Sequence, residues 1–177
     1  MPDFRRKRNR LPRHAYMGRR AYFVTICTHQ RRAMLNDSIL VDRLLGVLRK
    51  ECAVGEFDVY AYCFMPDHLH LALIALGDSC RLDAFLRAFK GAAASEARGL
   101  GIRSLWQKGF YDHVIRTGEG LAAVAWYIFS NPLRKSLVER MDEWPYSGSF
   151  QFDWKKLVAP PKAFEPPWKN ANSGRTL

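Results

Sequence analysis

The 177-residue sequence has no apolar run near the roughly 20 residues of a membrane-spanning helix. Every candidate is broken by Arg, Asp or His within about ten residues. No apolar stretch of the signal-peptide kind follows the basic N-terminus, so no leader is expected. Cysteine is scarce: Cys27, Cys52, Cys63 and Cys80 show no C-x-x-C spacing, and three of them lie in apolar runs. That pattern speaks against disulfides or a zinc cluster and for buried free thiols in a reducing, cytoplasmic setting. Internal repeats and long low-complexity linkers are also missing, which leaves one domain with two tails. The expected parse is a basic arm over 1–20, a domain over 21–140, and a tail over 141–177 that packs on the domain or extends from it.

Acidic residues are in short supply, 17 against 28 Lys+Arg, giving a net charge of +11. Residues 1–20 hold Arg5, Arg6, Lys7, Arg8, Arg10, Arg13, Arg19 and Arg20 against the single acid Asp3, so the arm carries +7 of that total. A basic arm on a weakly basic globule points towards polyanions, nucleic acid first. Charge by itself is equally consistent with a solvated tail.

Ala21–Thr28 (AYFVTICT) is β-branched and aromatic and predicts a strand. Asp37 or Ser38 can cap a helix over about 38–53 with Ile39, Leu40, Leu44, Leu45, Val47 and Leu48 on its apolar face; Gly55 ends it. Phe57–Met65 and His68–Leu76 read as strands joined by the Pro66-Asp67 turn. A second helix spans Leu82–Arg98, a fourth strand lies around Tyr111–Ile115, and a third helix covers about 119–130 before Asn131-Pro132. The order β-α-β-β-α-β plus a helix is the α+β, ferredoxin-like split βαβ arrangement: an antiparallel sheet with helices on one face. The other face is expected to be open to ligands or a partner.

Two features carry chemistry. His68-Leu69-His70 puts both imidazoles on one face of a strand, where they suit one divalent cation; the bland alternative is a pair satisfied by backbone or carboxylate partners. With two ligands the site is open, which suits Mg²⁺ or Mn²⁺ with water and substrate oxygens. On the last helix Leu121, Val124, Ala125 and Ile128 form the core stripe, and Tyr127 is expected at its edge. Asn131, Arg134 and Lys135 follow on the same side. A phenol, an amide oxygen and two cations together suit phosphoryl transfer, whereas a lone helix tyrosine is ordinarily a packed boundary residue.

The run Phe64-Met65-Pro66-Asp67-His68-Leu69-His70-Leu71 resembles the HUH motif (His, bulky apolar, His) of the single-tyrosine, IS200-like transposases. Tyr127-Ile128 followed by Asn131-Pro132-Leu133-Arg134 resembles their nucleophile helix. Tyr22-Phe23-Val24-Thr25, Thr28-His29-Gln30-Arg31-Arg32, Trp106-Gln107 and Gly109-Phe110-Tyr111-Asp112-His113-Val114-Ile115 look like the branch associated with repetitive extragenic palindromes (REPs). The resemblance covers about residues 16–150 in matching order.

It implies a metal-dependent single-strand DNA endonuclease and strand transferase acting on hairpin-forming DNA through a 5′-phosphotyrosine. Carried over, Tyr127 is the nucleophile and His68 and His70 are ligands of Mg²⁺ or Mn²⁺. Asn131 stands at the third-ligand position, where many members have the longer Gln. Arg5, Arg6, Lys7, Arg8, Arg10, Arg13, Arg19, Arg20, Arg134 and Lys135 are the expected DNA-binding residues, with Tyr16 stacking on an unpaired base. The family further implies a bacterial, nucleoid-associated protein, monomer or homodimer. Two other readings share the scaffold: a catalytically idle hairpin DNA- or RNA-binding regulator, and a small-molecule-binding domain with an incidental arm.

Overall fold

Residues 13–116, 118–160 and 162–166 are described by a computed structural model. Arg5, Arg6, Lys7, Arg8 and Arg10 lie outside them. A 3₁₀ turn (Arg13–Tyr16) leads into β1 (Ala21–Cys27), followed by α1 (Ser38–Gly55), β2 (Phe57–Met65), β3 (His68–Ala75), α2 (Leu82–Gly99), β4 (Tyr111–Val114), α3 (Leu121–Phe129), α4 (Asn131–Arg134) and β5 (Ser147–Gly148). The sheet order is β4-β1-β3-β2-β5 with every pairing antiparallel, so the first four strands have the ferredoxin-like order. Asp37 caps α1, its Oδ1 accepting from Leu40 N at 2.9 Å, an interaction worth about 1 kcal/mol. The left-handed residue that ends α1 is Glu56 (φ 54°) and not Gly55, which stays helical.

Six successive β1 residues, Tyr22–Cys27, are buried, because the sheet is covered on both sides. Tyr22, Val24 and Ile26 face α1 and α2 in one core; Phe23 faces α3 in a second. In β3, Leu69, Leu71 and Leu73 join the first core while His68 and His70 point the other way with Ala72. A register shift between Val59 and Ala61 reverses the alternation of β2: Val59 faces the first core, but Ala61, Cys63 and Met65 face the second.

The second face is therefore not open as the sequence suggested. α3 lies across it, and residues beyond 141 return over α3 and the β2 edge. Trp144 Nε1 donates to Phe64 O (2.9 Å), Phe64 N donates to Tyr146 O (2.9 Å), and Phe150 N donates to Val59 O (3.0 Å). Trp154 stacks on Phe129 with ring centroids 4.6 Å apart. All four cysteines are buried and free.

Candidate active site

Register builds the site. Opposite His70 in β3 stand Thr25 in β1 and Cys63 in β2, and Thr25 is in turn opposite Tyr111 in β4; His68 stands opposite Cys27 and Met65. Opposed residues share a face, so one row of the sheet runs Tyr111, Thr25, His70, Cys63 and, through β5, Ser147. The imidazoles turn their Nε2 atoms to each other at 3.0 Å. Each Nδ1 is anchored from behind: that of His70 lies 2.8 Å from Thr25 Oγ1, and that of His68 lies 2.5 Å from Asp67 Oδ1. Asp67 Oδ2 accepts from Arg31 Nη1 at 3.2 Å. The hydrogen bond to His68, with Arg31 behind it, holds the Asp67 carboxyl down at about 2. Burial, reinforced by the adjoining His68 ring and by the charges of Arg134 and Arg31, keeps His70 well below the usual histidine range, hence neutral near pH 7.

This donor set fits a divalent ion. Adjacent corners of an octahedron with ligands at about 2.1 Å are about 3 Å apart, which is the observed Nε2 spacing. Anchored Nδ1 atoms are what metal-binding histidines use to fix ring and tautomer. Among the described residues no cluster of three or more His, Cys, Asp or Glu could hold a metal, so the remaining corners of an ion bound by this pair would fall to other oxygens.

α3 delivers Tyr127 to the same place. Its ring centroid is 6.2 Å from that of His70 and 5.7 Å, edge-on, from Phe23. Arg134 lays its guanidinium over the ring, Cζ 4.2 Å from the centroid. Phe164 packs edge-on to Tyr127 at 5.6 Å. Tyr127 is thus 8% exposed rather than a boundary residue, because the returning C-terminal segment buries the flank of α3 that periodicity assigned to the edge. Pro132 does not stop the helical path. It occupies the first turn of α4, where its missing N–H costs nothing, and Lys135 N still donates to Asn131 O at 3.0 Å. Asn131 is buried; its Nδ2 donates to Tyr127 O (2.9 Å) and its Oδ1 accepts from Arg134 Nη2 (3.3 Å). In this state the amide oxygen serves the arginine that covers the tyrosine.

The basic residues are scattered. Arg19 forms an exposed pair with Asp78 (3.6 Å), Arg20 donates to Met17 O (3.2 Å), Lys135 is exposed at the end of α4, and Arg13 begins the first turn. Tyr16 is 7% exposed and packed in the first core, so it offers no exposed stacking platform; the 3₁₀ turn folds it inward.

Sequence reasoning missed Thr25, Asp67, Arg31 and Phe164. Asp67 abuts His68 and could have been read as its partner; Thr25 depends on register, 45 residues away. Arg31 lies in a turn in which it and Gln30 both adopt left-handed backbone (φ 56° and 54°). Such conformations cost non-glycine residues of order 1 kcal/mol or more each and cluster at functional sites.

A family model described as IS200-like transposase matches residues 18–131. A putative REP-associated tyrosine transposase of Haemophilus influenzae is 30% identical over 152 residues, covering 78% of this chain and 84% of that protein. The REP-associated tyrosine transposase of Escherichia coli is 24% identical over 154 residues, covering 80% and 88%. A solved structure of a REP-associated tyrosine transposase bound to a REP hairpin matches with a TM-score of 0.69 over 90% of this chain and 89% of that one, at 22% identity, a likeness of fold. Among the described residues no helix is long and apolar enough to cross a membrane.

Proposed function

The chain belongs to the IS200-like transposases, in the branch of REP-associated tyrosine transposases, and from that premise we propose that it cleaves and rejoins single-stranded DNA beside REP-type hairpins through a 5′-phosphotyrosine. One observation carries the reading: within a single chain, the Tyr127 ring meets His70 of a histidine pair whose Nε2 atoms lie 3.0 Å apart.

Tyr127 Oη attacks the scissile phosphorus, forming the phosphotyrosine bond while the P–O3′ bond breaks. The phenolic proton passes to solvent, and the departing 3′ oxygen takes one up as a free 3′-OH. Arg134, over the Tyr127 ring and hydrogen-bonded to Asn131, puts a cation where negative charge grows on the phenolate and the phosphoryl oxygens. Neutral His70 has one ring-nitrogen lone pair to offer a cation, and Thr25 and Asp67 hold the two rings in place. His68 and His70, with Asn131 the candidate third ligand, would hold Mg²⁺ or Mn²⁺, which would supply charge neutralisation at the scissile phosphate. Reversal, with a different 3′-OH attacking the phosphotyrosine, joins strands without an external energy source.

The test uses the full chain, hairpin oligonucleotides with single-stranded flanks, and Mn²⁺ or Mg²⁺. A covalent protein–DNA adduct on a denaturing gel is expected from the wild type. It is expected to be absent with Tyr127→Phe, with His68→Ala and with excess chelator. Adduct formed undiminished by Tyr127→Phe rejects the nucleophile; hairpin binding that survives His68→Ala, with no cleavage by the wild type, marks the idle regulator.

A further inference from the structure

The side chains of the site form one continuous chain. It runs from Arg31 to Asp67 (3.2 Å), Asp67 to His68 (2.5 Å), His68 to His70 (3.0 Å) and His70 edge-on to the Tyr127 ring, which Arg134 covers. A guanidinium therefore stands at each end. Arg134 has its place in the proposed chemistry; Arg31 at the other end has none.

Three observations separate Arg31 from an ordinary surface ion pair. First, its turn is clamped onto the segment that carries the histidines. Thr28 N and Oγ1 both donate to Asp67 O (3.0 and 2.9 Å) and Leu35 N donates to Pro66 O (2.9 Å), while His29 N ties the turn to the connection before β4 through Leu105 O (2.8 Å). Secondly, two consecutive non-glycine residues hold left-handed backbone to make the turn, a cost that one exposed ion pair does not offset. Thirdly, the guanidinium contacts Asp67 through Nη1 alone and its side chain is 51% exposed. Among the described residues no other partner is recorded for its remaining N–H donors, and a planar fork of donors beside an anion-handling site suits phosphate oxygens.

We propose that Arg31 binds a backbone phosphate of the single strand flanking the scissile phosphodiester. It does so from the histidine end of the site, opposite Arg134, so that the strand is gripped on both sides of the bond to be cut. Asp67 keeps one carboxylate oxygen on His68 and directs the guanidinium with the other. The inference rests on the reading of single-stranded DNA as substrate and adds a positioning contact to it.

The test measures binding by fluorescence anisotropy, with the full chain in chelator so that no cleavage intervenes. One probe is a hairpin with an oligothymidylate flank; the other is the same hairpin without it. Arg31→Gln is expected to weaken binding of the flanked probe about five- to tenfold and to lower the slope of log affinity against log salt by about 0.7, the share of one single-strand phosphate. The bare hairpin should be unaffected, and Arg31→Lys, which keeps the cation, should retain most of the slope. Equal loss on both probes, an unchanged slope, or wild-type protein that does not distinguish the probes overturns the proposal. Melting temperatures of both variants separate a loosened turn, which would weaken both probes, from a lost contact. Adduct formation is not the readout, so the two readings fail separately. A Tyr127 adduct with an Arg31-independent slope removes only this contact, and the expected slopes without any adduct remove only the cleavage chemistry.

Discussion

Replacing Thr25 by Val isolates how the histidine pair is prepared. Thr25 and His70 are 6% and 5% exposed, and the contact between Oγ1 and Nδ1 is 2.8 Å. With both rings neutral, His68 donates from Nδ1 to the Asp67 carboxylate, so its bare Nε2 must accept from a protonated His70 Nε2. His70 Nδ1 is then bare and accepts from the threonine hydroxyl. A ligated His70 needs the opposite tautomer, with Nδ1–H donating to the same hydroxyl. A hydroxyl serves either way; a methyl serves neither. Thr25→Val leaves a buried ring nitrogen unpaired in both states, a cost of about 1–3 kcal/mol. At about 2–4 °C per kcal/mol for a chain this long, the melting temperature in chelator should fall by about 2–12 °C. Loss of the ring's anchor should weaken Mn²⁺ binding about 10- to 100-fold by titration calorimetry, and Thr25→Ser should restore both. Undiminished Mn²⁺ affinity in the Val variant, or a Ser variant as poor as Val, refutes the reasoning.

Two further outcomes follow from packing and burial. At Gly148 a Cβ would fall inside the Tyr62 phenol, 2.5 Å from its Cζ, and Tyr62 is held by Phe64 and Phe150; Gly148→Ala should therefore cost about 1–3 kcal/mol, seen as a lower urea midpoint, and an unchanged midpoint would mean that β5 detaches freely. Burial pushes the Cys52 and Cys63 thiols up to about 12 from an ordinary 9.0, so above pH 9 unfolded chains release thiol protons that folded ones retain. Each thiol then lowers stability by about 1.4 kcal/mol per pH unit until its folded value is reached. Between pH 9 and 11 the urea midpoint should fall less steeply in Cys63→Ala than in the wild type, whatever the offset from lost packing, and parallel slopes would count against the burial argument.

Much of the fold was legible because local signals and tertiary packing agree. Phe57–Met65 is the observed β2, and the Asp37 cap and the shared face of His68 and His70 follow from side-chain chemistry and strand alternation. What escaped was set by long-range packing. α3 is apolar nearly all round, so periodicity cannot show that the sheet and the C-terminal segment cover it from two sides, which is why Tyr127 looks like an edge residue in the sequence. β5 has two residues and no periodic signal; it exists because the β2 edge receives it. Nor does any glycine mark the left-handed pair at Gln30 and Arg31, and the Thr25–His70 contact needs the strand register before it can be seen.

The two cores on either side of the sheet also differ in when the chain can complete them. The core under α1 and α2 draws on residues from Tyr16 to Leu105, with neighbours already joined by short connections. The core over the site sets Phe23 against Phe129 and Phe164, partners separated by most of the chain. Contacts that close such long loops form after local ones. During synthesis, which proceeds from the N-terminus, the histidine pair can be set in its sheet well before Phe164 emerges to seal Tyr127 beside it. A chain cut before Phe164 would keep every residue of the core under α1 and α2 and lack the ring that packs edge-on against Tyr127.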